Sequence, residues 1–206
     1  MNDHIKRLTL VAMSLLLTAG HAHSSPLSLE EEAKTAGEVE SITSTEQDPI
    51  GVAGLPGLVG TFVVKTPCKD AFRIASKVED YPTLIDKVKE VEVLKREPSA
   101  LVVRYTEGAM GISSTSTMRW TFTEKPSWSV GSLVVGKDES PSYTMLRFNP
   151  TQDPAFCRLN VTVFADVSWL PSFAVSWVMD ASRDELASTY REMMRRGLAQ
   201  ETITKP

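Results

Sequence analysis

The middle of the chain alternates between apolar and polar residues, which is typical of β-strands with one buried face. The alternation is clearest in residues 115–123, where Met118, Trp120 and Phe122 share one face and Arg119 lies with four threonines on the other. Turn-forming residues divide the region into six predicted strands. These strands span residues 91–96, 101–106, 115–123, 128–135, 143–148 and 157–167. An earlier apolar run over residues 58–65 predicts a seventh strand, and the order favours an antiparallel meander.

Helical periodicity flanks these strands. Apolar residues recur at helical spacing after Pro67, with Thr66 as the predicted cap. A second short helix is predicted from Thr83 to residue 87 or 88, after a break at Pro82. A long helix is predicted from residue 171 or 172 to about Gly197, with buried residues at every third or fourth position. The pattern as a whole predicts an α+β protein.

The first 24 residues have the order of a secretory signal peptide. Lys6 and Arg7 precede an apolar run over residues 8–17, and small residues follow. Cleavage after Ala22 or after Ser24 fits this order. The alternative, an N-terminal membrane anchor, is disfavoured because the run falls short of the ~20 apolar residues that a membrane span needs. We therefore expect a periplasmic or secreted protein.

Residues 25–50 are predicted to be a disordered acidic linker. They hold seven acidic residues, one lysine and no aromatic residue, so they bury too little apolar surface to offset the entropy of ordering. A fraying helix over residues 27–39 is the alternative for part of this segment. The linker is a solubilising spacer in one interpretation and a partner-binding tail in the other. We expect one folded domain over residues 51–206, which carries 18 acidic and 19 basic residues.

Composition narrows the classes of function. The 206 residues carry a net charge of −4, which argues against a nucleic-acid-binding protein held by phosphate contacts. The three histidines, His4, His21 and His23, all lie in the predicted signal peptide. Cleavage after Ser24 would leave a mature chain without histidine, which excludes histidine-dependent hydrolases and histidine-bearing metal sites. Two cysteines cannot form a four-cysteine zinc site. We expect no metal site and no cofactor.

A family resemblance is carried by four segments near the start of the domain: GTFVVKTP (60–67), AF (71–72), VEDYP (78–82) and VKEVEVL (88–94). Together they resemble the opening of START-like (SRPBCC) domains. More narrowly, they are similar to the polyketide cyclase/dehydrase and lipid-transport group, which includes coenzyme Q-binding START proteins. Residues 169–179 (WLPSFAVSWVM) are similar to the start of that family's C-terminal helix. The resemblance covers residues 57–198.

The resemblance implies a helix-grip fold, in which a curved seven-stranded antiparallel sheet wraps around a long C-terminal helix and two short helices follow the first strand. It also implies a cavity between sheet and helix for a hydrophobic small molecule such as a lipid, quinone, sterol or polyketide-like compound. An exported binding or transfer protein is the expected function, and a cyclase or dehydratase acting in the same cavity is the alternative. Many relatives are intracellular, so the predicted signal peptide departs from the family. We expect no nucleic-acid partner, while transient membrane contact and the oligomeric state stay open.

Large and adaptable side chains mark the expected lining of the cavity. The candidates are Tyr105, Met118, Trp120, Phe122, Tyr143, Met145 and Arg147 on the strands, and Trp177, Tyr190, Met193 and Met194 on the long helix. Ordinary core packing explains the same pattern equally well. Arg147 either points inward and needs an anionic partner or is solvated at the rim. For the enzyme alternative, the titratable candidates are Tyr105, Glu107, Tyr143 and Arg147, and no catalytic set is defined.

The helix-grip fold also implies a pairing of the two cysteines. In that fold the first and last strands pair antiparallel, and Cys68 lies just past the end of the first while Cys157 begins the last. An exported chain meets an oxidising compartment. A Cys68–Cys157 disulfide is therefore expected, with two unpaired buried thiols as the alternative.

Overall fold

Eight antiparallel strands form one sheet in the part of the chain that the computed structural model describes. They are β1 (Glu38–Thr45), β2 (Gly57–Val64), β3 (Val88–Glu97), β4 (Ala100–Ala109), β5 (Ile112–Thr123), β6 (Trp128–Val134), β7 (Ser142–Pro150) and β8 (Cys157–Ala165). Their order across the sheet is β1-β2-β8-β7-β6-β5-β4-β3. Strands β2 to β8 correspond to the seven predicted strands, and β1 is additional.

The structure describes residues 38–45, 57–109, 112–124, 127–137, 139, 141–166, 185–186, 188–200 and 202. For residues 38–45, 109 and 112 it describes the backbone alone. The predicted signal peptide, the first part of the predicted long helix and the candidate Trp177 lie outside the described residues.

Helices pack on the concave side of the sheet. Helix α1 (Cys68–Ser76), a 3-10 turn (Val78–Asp80) and helix α2 (Tyr81–Leu84) follow β2, and residues 188–200 form helix α3. The predicted spacing places Ala71, Ile74 and Ala75 on the buried face of α1, where each is at most 2% exposed. Among the described helices, none is both long and apolar enough to cross a membrane.

The starts of the two short helices differ from the prediction. Pro67, not Thr66, occupies the cap position of α1, and its carbonyl accepts the N–H groups of Asp70 and Ala71 at 2.9 and 3.0 Å. The Thr66 hydroxyl is buried without a hydrogen-bond partner among the described residues. Helix α2 begins at Tyr81 because proline is tolerated in a first helical turn, where its missing N–H has no intrahelical partner.

Strand β1 lies inside the segment for which the sequence predicts a disordered linker. It pairs with β2 in a continuous register from Glu38↔Val64 to Thr45↔Gly57. Four of its eight residues are β-branched, which favours an extended backbone. An edge strand needs the backbone groups of only one neighbour. The acidity of the whole segment therefore concealed a local preference for a strand.

The core lies between the concave face of the sheet and the helices. Its centre is sealed from water, since Ile74, Phe148, Leu159, Val161 and Met193 are each at most 2% exposed. Burying an apolar side chain of this size contributes about 1.5–3 kcal/mol. This sealed region is therefore the main support of the fold.

Helix α3 approaches α1 closely at Gly197. A Cβ atom placed on Gly197 would lie 2.4 Å from Cγ2 of Ile74, closer than side chains can pack. Beside this contact, the Arg196 guanidinium donates two hydrogen bonds of 2.5 and 3.0 Å to the Asp86 carboxylate. The lack of a side chain at residue 197 thus permits the observed distance between the two helices.

A disulfide joins Cys68 to Cys157, the pairing that the helix-grip resemblance implies. The two Cα atoms are 4.8 Å apart, and both side chains lie in the core. The register Val64↔Cys157 places the end of β2 beside the start of β8. The bond therefore ties β2 and α1 to β8 across a sequence separation of 89 residues.

We predict that Gly197→Ala lowers the stability of the protein. The added methyl group would overpack the contact with Ile74 at a cost of about 1–3 kcal/mol, against a gain of about 1 kcal/mol in helix propensity. Thermal unfolding should give a lower Tm. The exposed substitution Ala199→Gly measures the propensity effect alone, and a rise in Tm for Gly197→Ala would contradict the close contact.

We predict that unreduced, denatured protein contains no titratable thiol, whereas two thiols would contradict the disulfide. Replacing both cysteines by alanine should lower the free energy of unfolding by about 2–5 kcal/mol, because the bond restricts the unfolded chain. Chemical denaturation measures this difference. As a control, a reducing agent should lower the free energy of unfolding of the parent protein and leave that of the double variant unchanged.

Candidate functional site

The concave face of β4 and β5 changes from apolar to polar along the strands. Register pairs Leu101 with Trp120 and Val103 with Met118, and then Tyr105 with Ser116 and Glu107 with Ser114. Along each strand, these eight paired residues alternate with outward-facing residues such as Arg104 and Thr115. The eight therefore lie on one side of the sheet. The apolar pairs lie in or against the core, while Ser114, Ser116 and Glu107 are partly exposed. The two strands therefore present an amphipathic lining.

Aromatic rings form the floor of this lining. The ring centroid of Trp120 lies 5.4 Å from that of Tyr81 and 6.3 Å from that of Tyr105. The Tyr81 hydroxyl donates a hydrogen bond of 2.7 Å to the carbonyl of Ala75, which holds α2 against α1. The indole N–H of Trp120 is buried without a hydrogen-bond partner among the described residues.

Helix α3 covers the lining with Tyr190 and two methionines. The Tyr190 ring centroid lies 6.4 Å from that of Phe62 on β2, and Met193 and Met194 are at most 2% exposed. Burial raises the pKa of Tyr190 above its usual value. The tyrosine therefore stays a neutral phenol, able to donate and to accept one hydrogen bond.

Tyr105 and Tyr190 face a common region of the interior. Burial raises the pKa of Tyr105 well above its usual value, and the nearby groups Glu107, Tyr81 and Tyr190 raise it further. Among the described residues, neither the Tyr105 nor the Tyr190 hydroxyl has a hydrogen-bond partner. The fixed hydroxyl of Tyr81 thus lies near two hydroxyls to which no described residue forms a hydrogen bond.

A small charge cluster borders the polar end. Burial raises the pKa of Glu107, and the positive charge of Lys87 partly lowers it. Burial lowers the pKa of Lys87, which forms an ion pair with Glu185 at the start of the described part of the C-terminal helix. The Gly108 N–H donates to the Lys87 carbonyl at 2.8 Å and fixes the two segments together. The Lys87 ammonium therefore interacts with the carboxylates of both Glu107 and Glu185.

Most of the predicted site residues lie on this concave side. They are Tyr105, Met118, Trp120 and Phe122 on β4 and β5, and Tyr190, Met193 and Met194 on α3. Glu107, a candidate for the enzyme alternative, lies among them. The structure thus brings together the candidates on the concave face of β4 and β5 and those on α3.

The predicted inward orientation of three residues on β7 is wrong. Leu146 and Phe148 face the core, each 1% exposed, so Tyr143, Met145 and Arg147 lie on the opposite, convex face. Both parities of this strand carry large apolar residues, and pairing with the buried Val130 and Val161 decides between them. Arg147 is exposed, which agrees with the solvated alternative.

Sequence reasoning missed five residues near the site: Tyr81, Lys87, Ser114, Ser116 and Glu185. Tyr81 precedes Pro82, and in the sequence this pair indicates only a helix break. The two serines continue the parity of Trp120 and Met118, so that a longer predicted β5 would have found Ser114. Lys87 and Glu185 meet through packing between distant segments, for which the sequence offers no local signal.

We predict that Glu107→Gln stabilises the protein at neutral pH. The raised pKa means that the fold favours the protonated carboxyl, so stability falls as pH rises through that pKa, and an uncharged amide removes this loss. We expect a higher Tm than that of the parent at pH 8 and almost no difference at pH 4. The exposed substitution Glu90→Gln should show no such pH-dependent gain. Equal pH profiles for parent and Glu107→Gln would contradict the burial of this carboxyl.

Solved structures share this architecture. Human StAR-related lipid transfer protein 5 superposes with a TM-score of 0.61 at 13% identity, over 82% of this chain and 91% of that chain. A START superfamily protein from Mycobacterium smegmatis gives a TM-score of 0.54 at 16% identity, over 68% and 97% of the two chains. The Zhui aromatase/cyclase from Streptomyces sp. R1128 gives 0.51 at 15% identity, over 77% and 93%.

No protein-family model and no curated protein sequence matches the chain. At identities of 13–16%, the structural likenesses establish the architecture, and they agree with the element order that the sequence predicts. The chain therefore has the helix-grip fold that these structures share.

Proposed function

We propose that the chain binds and carries a hydrophobic small molecule between the concave face of its sheet and helix α3. The observation that supports this is a contrast in exposure along that face. Leu146, Phe148, Leu159 and Val161 on β7 and β8 are each at most 1% exposed. On β3–β5 the concave face is buried at Leu101, Val103 and Trp120. Other apolar and aromatic side chains of that face keep part of their surface accessible: Val91, Val93, Tyr105, Met118 and Phe122. Accessible apolar surface inside a concave site is what a hydrophobic ligand needs.

Structural neighbours support two activities for such a site. Human StAR-related lipid transfer protein 5 is a lipid carrier by its name, and the Zhui protein is an aromatase/cyclase. A cyclase or dehydratase is the second candidate here, because the partly buried Glu107 lies two residues from Tyr105 on the same face of β4, and its charge acts on that tyrosine. A carboxyl with a raised pKa can donate a proton to a polyketide-like substrate. Recovery of the ligand unchanged after incubation favours the carrier, and recovery of a product favours the enzyme.

We also propose that the protein works outside the cytoplasm, in a periplasm or after secretion. Two features support this location. The first 24 residues have the order of a signal peptide, and Cys68 and Cys157 form a disulfide of the kind that persists in oxidising compartments.

We predict that the full chain binds 1-aminoanthracene, an uncharged apolar fluorophore, and that Met118→Trp weakens this binding at least tenfold. Met118 lies on the concave face between the aromatic floor and the polar end, so a larger side chain would fill the proposed site. Fluorescence titration measures the affinity, and native mass spectrometry of the parent protein detects any ligand that co-purifies.

The matched control is Leu133→Trp, which adds an indole on the convex face at a residue that is 37% exposed. This variant should bind the fluorophore as the parent does. Circular dichroism must show that both variants are folded. Equal affinity for Met118→Trp and parent, or no binding by the parent, would contradict a ligand site under α3.

A further inference from the structure

We propose that the ligand is an amphiphile whose polar end is an uncharged hydroxyl group, held between Tyr105, Tyr190 and Glu107. This inference rests on the proposed binding function and specifies the chemical class that the site selects. The hydrocarbon part of the ligand would contact the apolar half of the lining, at Val103 and Met118. The polar end would lie two residues further along β4.

Hydrogen bonding is the first argument. The Tyr105 and Tyr190 hydroxyls have no partner among the described residues, and Ser114 and Ser116 add two hydroxyls on the same face of β5. A pure hydrocarbon would cover these groups without offering them a hydrogen bond, which is unfavourable for each buried group. A ligand hydroxyl both donates and accepts, so it can satisfy a phenol and the Glu107 carboxyl together.

Charge is the second argument. Lys87 is the cation whose charge acts on Glu107, and it already forms an ion pair with Glu185. A ligand carboxylate or phosphate would have to displace Glu185 or lie unpaired beside Glu107, and burial of an unpaired charge is costly. The cluster therefore disfavours anionic amphiphiles. An uncharged head avoids this repulsion.

The polarity gradient is the third argument. Along the concave face of β4 and β5, the paired residues pass from Leu101 and Trp120, through Val103 and Met118, to Tyr105 and Ser116. Glu107 and Ser114 follow. The gradient matches a molecule with one apolar and one polar end. It does not match a molecule that is apolar throughout.

A displacement series tests the proposal. Decan-1-ol, decanoate, decylamine and decane have the same chain length and differ in the head group, and each is titrated against 1-aminoanthracene bound to the full chain at pH 7.5. Decan-1-ol should displace the fluorophore at a concentration at least tenfold lower than decanoate. Tyr105→Phe and Tyr190→Phe should each reduce the preference for decan-1-ol over decane by about three- to tenfold, the effect of losing one hydrogen bond.

Tyr143→Phe is the matched control. It removes a phenol hydroxyl from the convex face, so the preference for decan-1-ol should stay that of the parent. Thermal unfolding of each variant checks that the ring substitutions leave the fold intact.

The remaining outcomes separate the two proposals. Decanoate binding as tightly as decan-1-ol, decylamine binding most tightly, or decane matching decan-1-ol would each overturn the selection of a hydroxyl and leave the binding function standing. Failure of all four to displace a bound fluorophore would also overturn it. If the fluorophore itself does not bind, the proposed function fails instead.

Discussion

The pairing of β2 with β8 is the constraint on which the rest of the structure depends. It joins the early and late parts of the chain in a register that runs from Gly57↔Phe164 to Val64↔Cys157. Without this pair, β3 to β8 would form an open meander, and α1 and α2, which follow β2 directly, would have no fixed place on the concave face. Contacts so distant in sequence form against loop-closure entropy. The disulfide at one end of the same pair keeps it closed.

Local pattern predicted most of the sheet because the side chains that define a strand are close neighbours in sequence. The alternation around Trp120 predicted both the strand β5 and its buried face. Two features needed longer-range information. Strand β1 depends on the exposed backbone edge of β2, and the inward face of β7 depends on the partners of Leu146 in β6 and β8.

The sequence predicted the apolar half of the candidate site and, in its polar half, only Tyr105 and Glu107. Met118, Trp120 and Tyr190 follow simple periodicities, and the sequence places them on the concave side correctly. The polar half depends on three segments that meet in space: the turn with Lys87, the end of β4 with Glu107, and the helical segment with Glu185. Burial of Glu107 lowers the stability of the fold when its carboxyl is ionised. Retention of such groups is common where a protein needs a polar contact inside an apolar site.

Strand β1 has a consequence for the solubility of the protein. While β1 is paired, the backbone N–H and C=O groups of β2 are occupied, and two glutamates, Glu38 and Glu40, stand near the new edge of the sheet. Proteolytic trimming that removed residues up to 45 would uncover β2, a strand without a charged residue between Gly57 and Val64. An uncovered, uncharged strand edge is a template for another chain. Pairing with β1 therefore covers an uncharged strand edge that would otherwise be open to another chain.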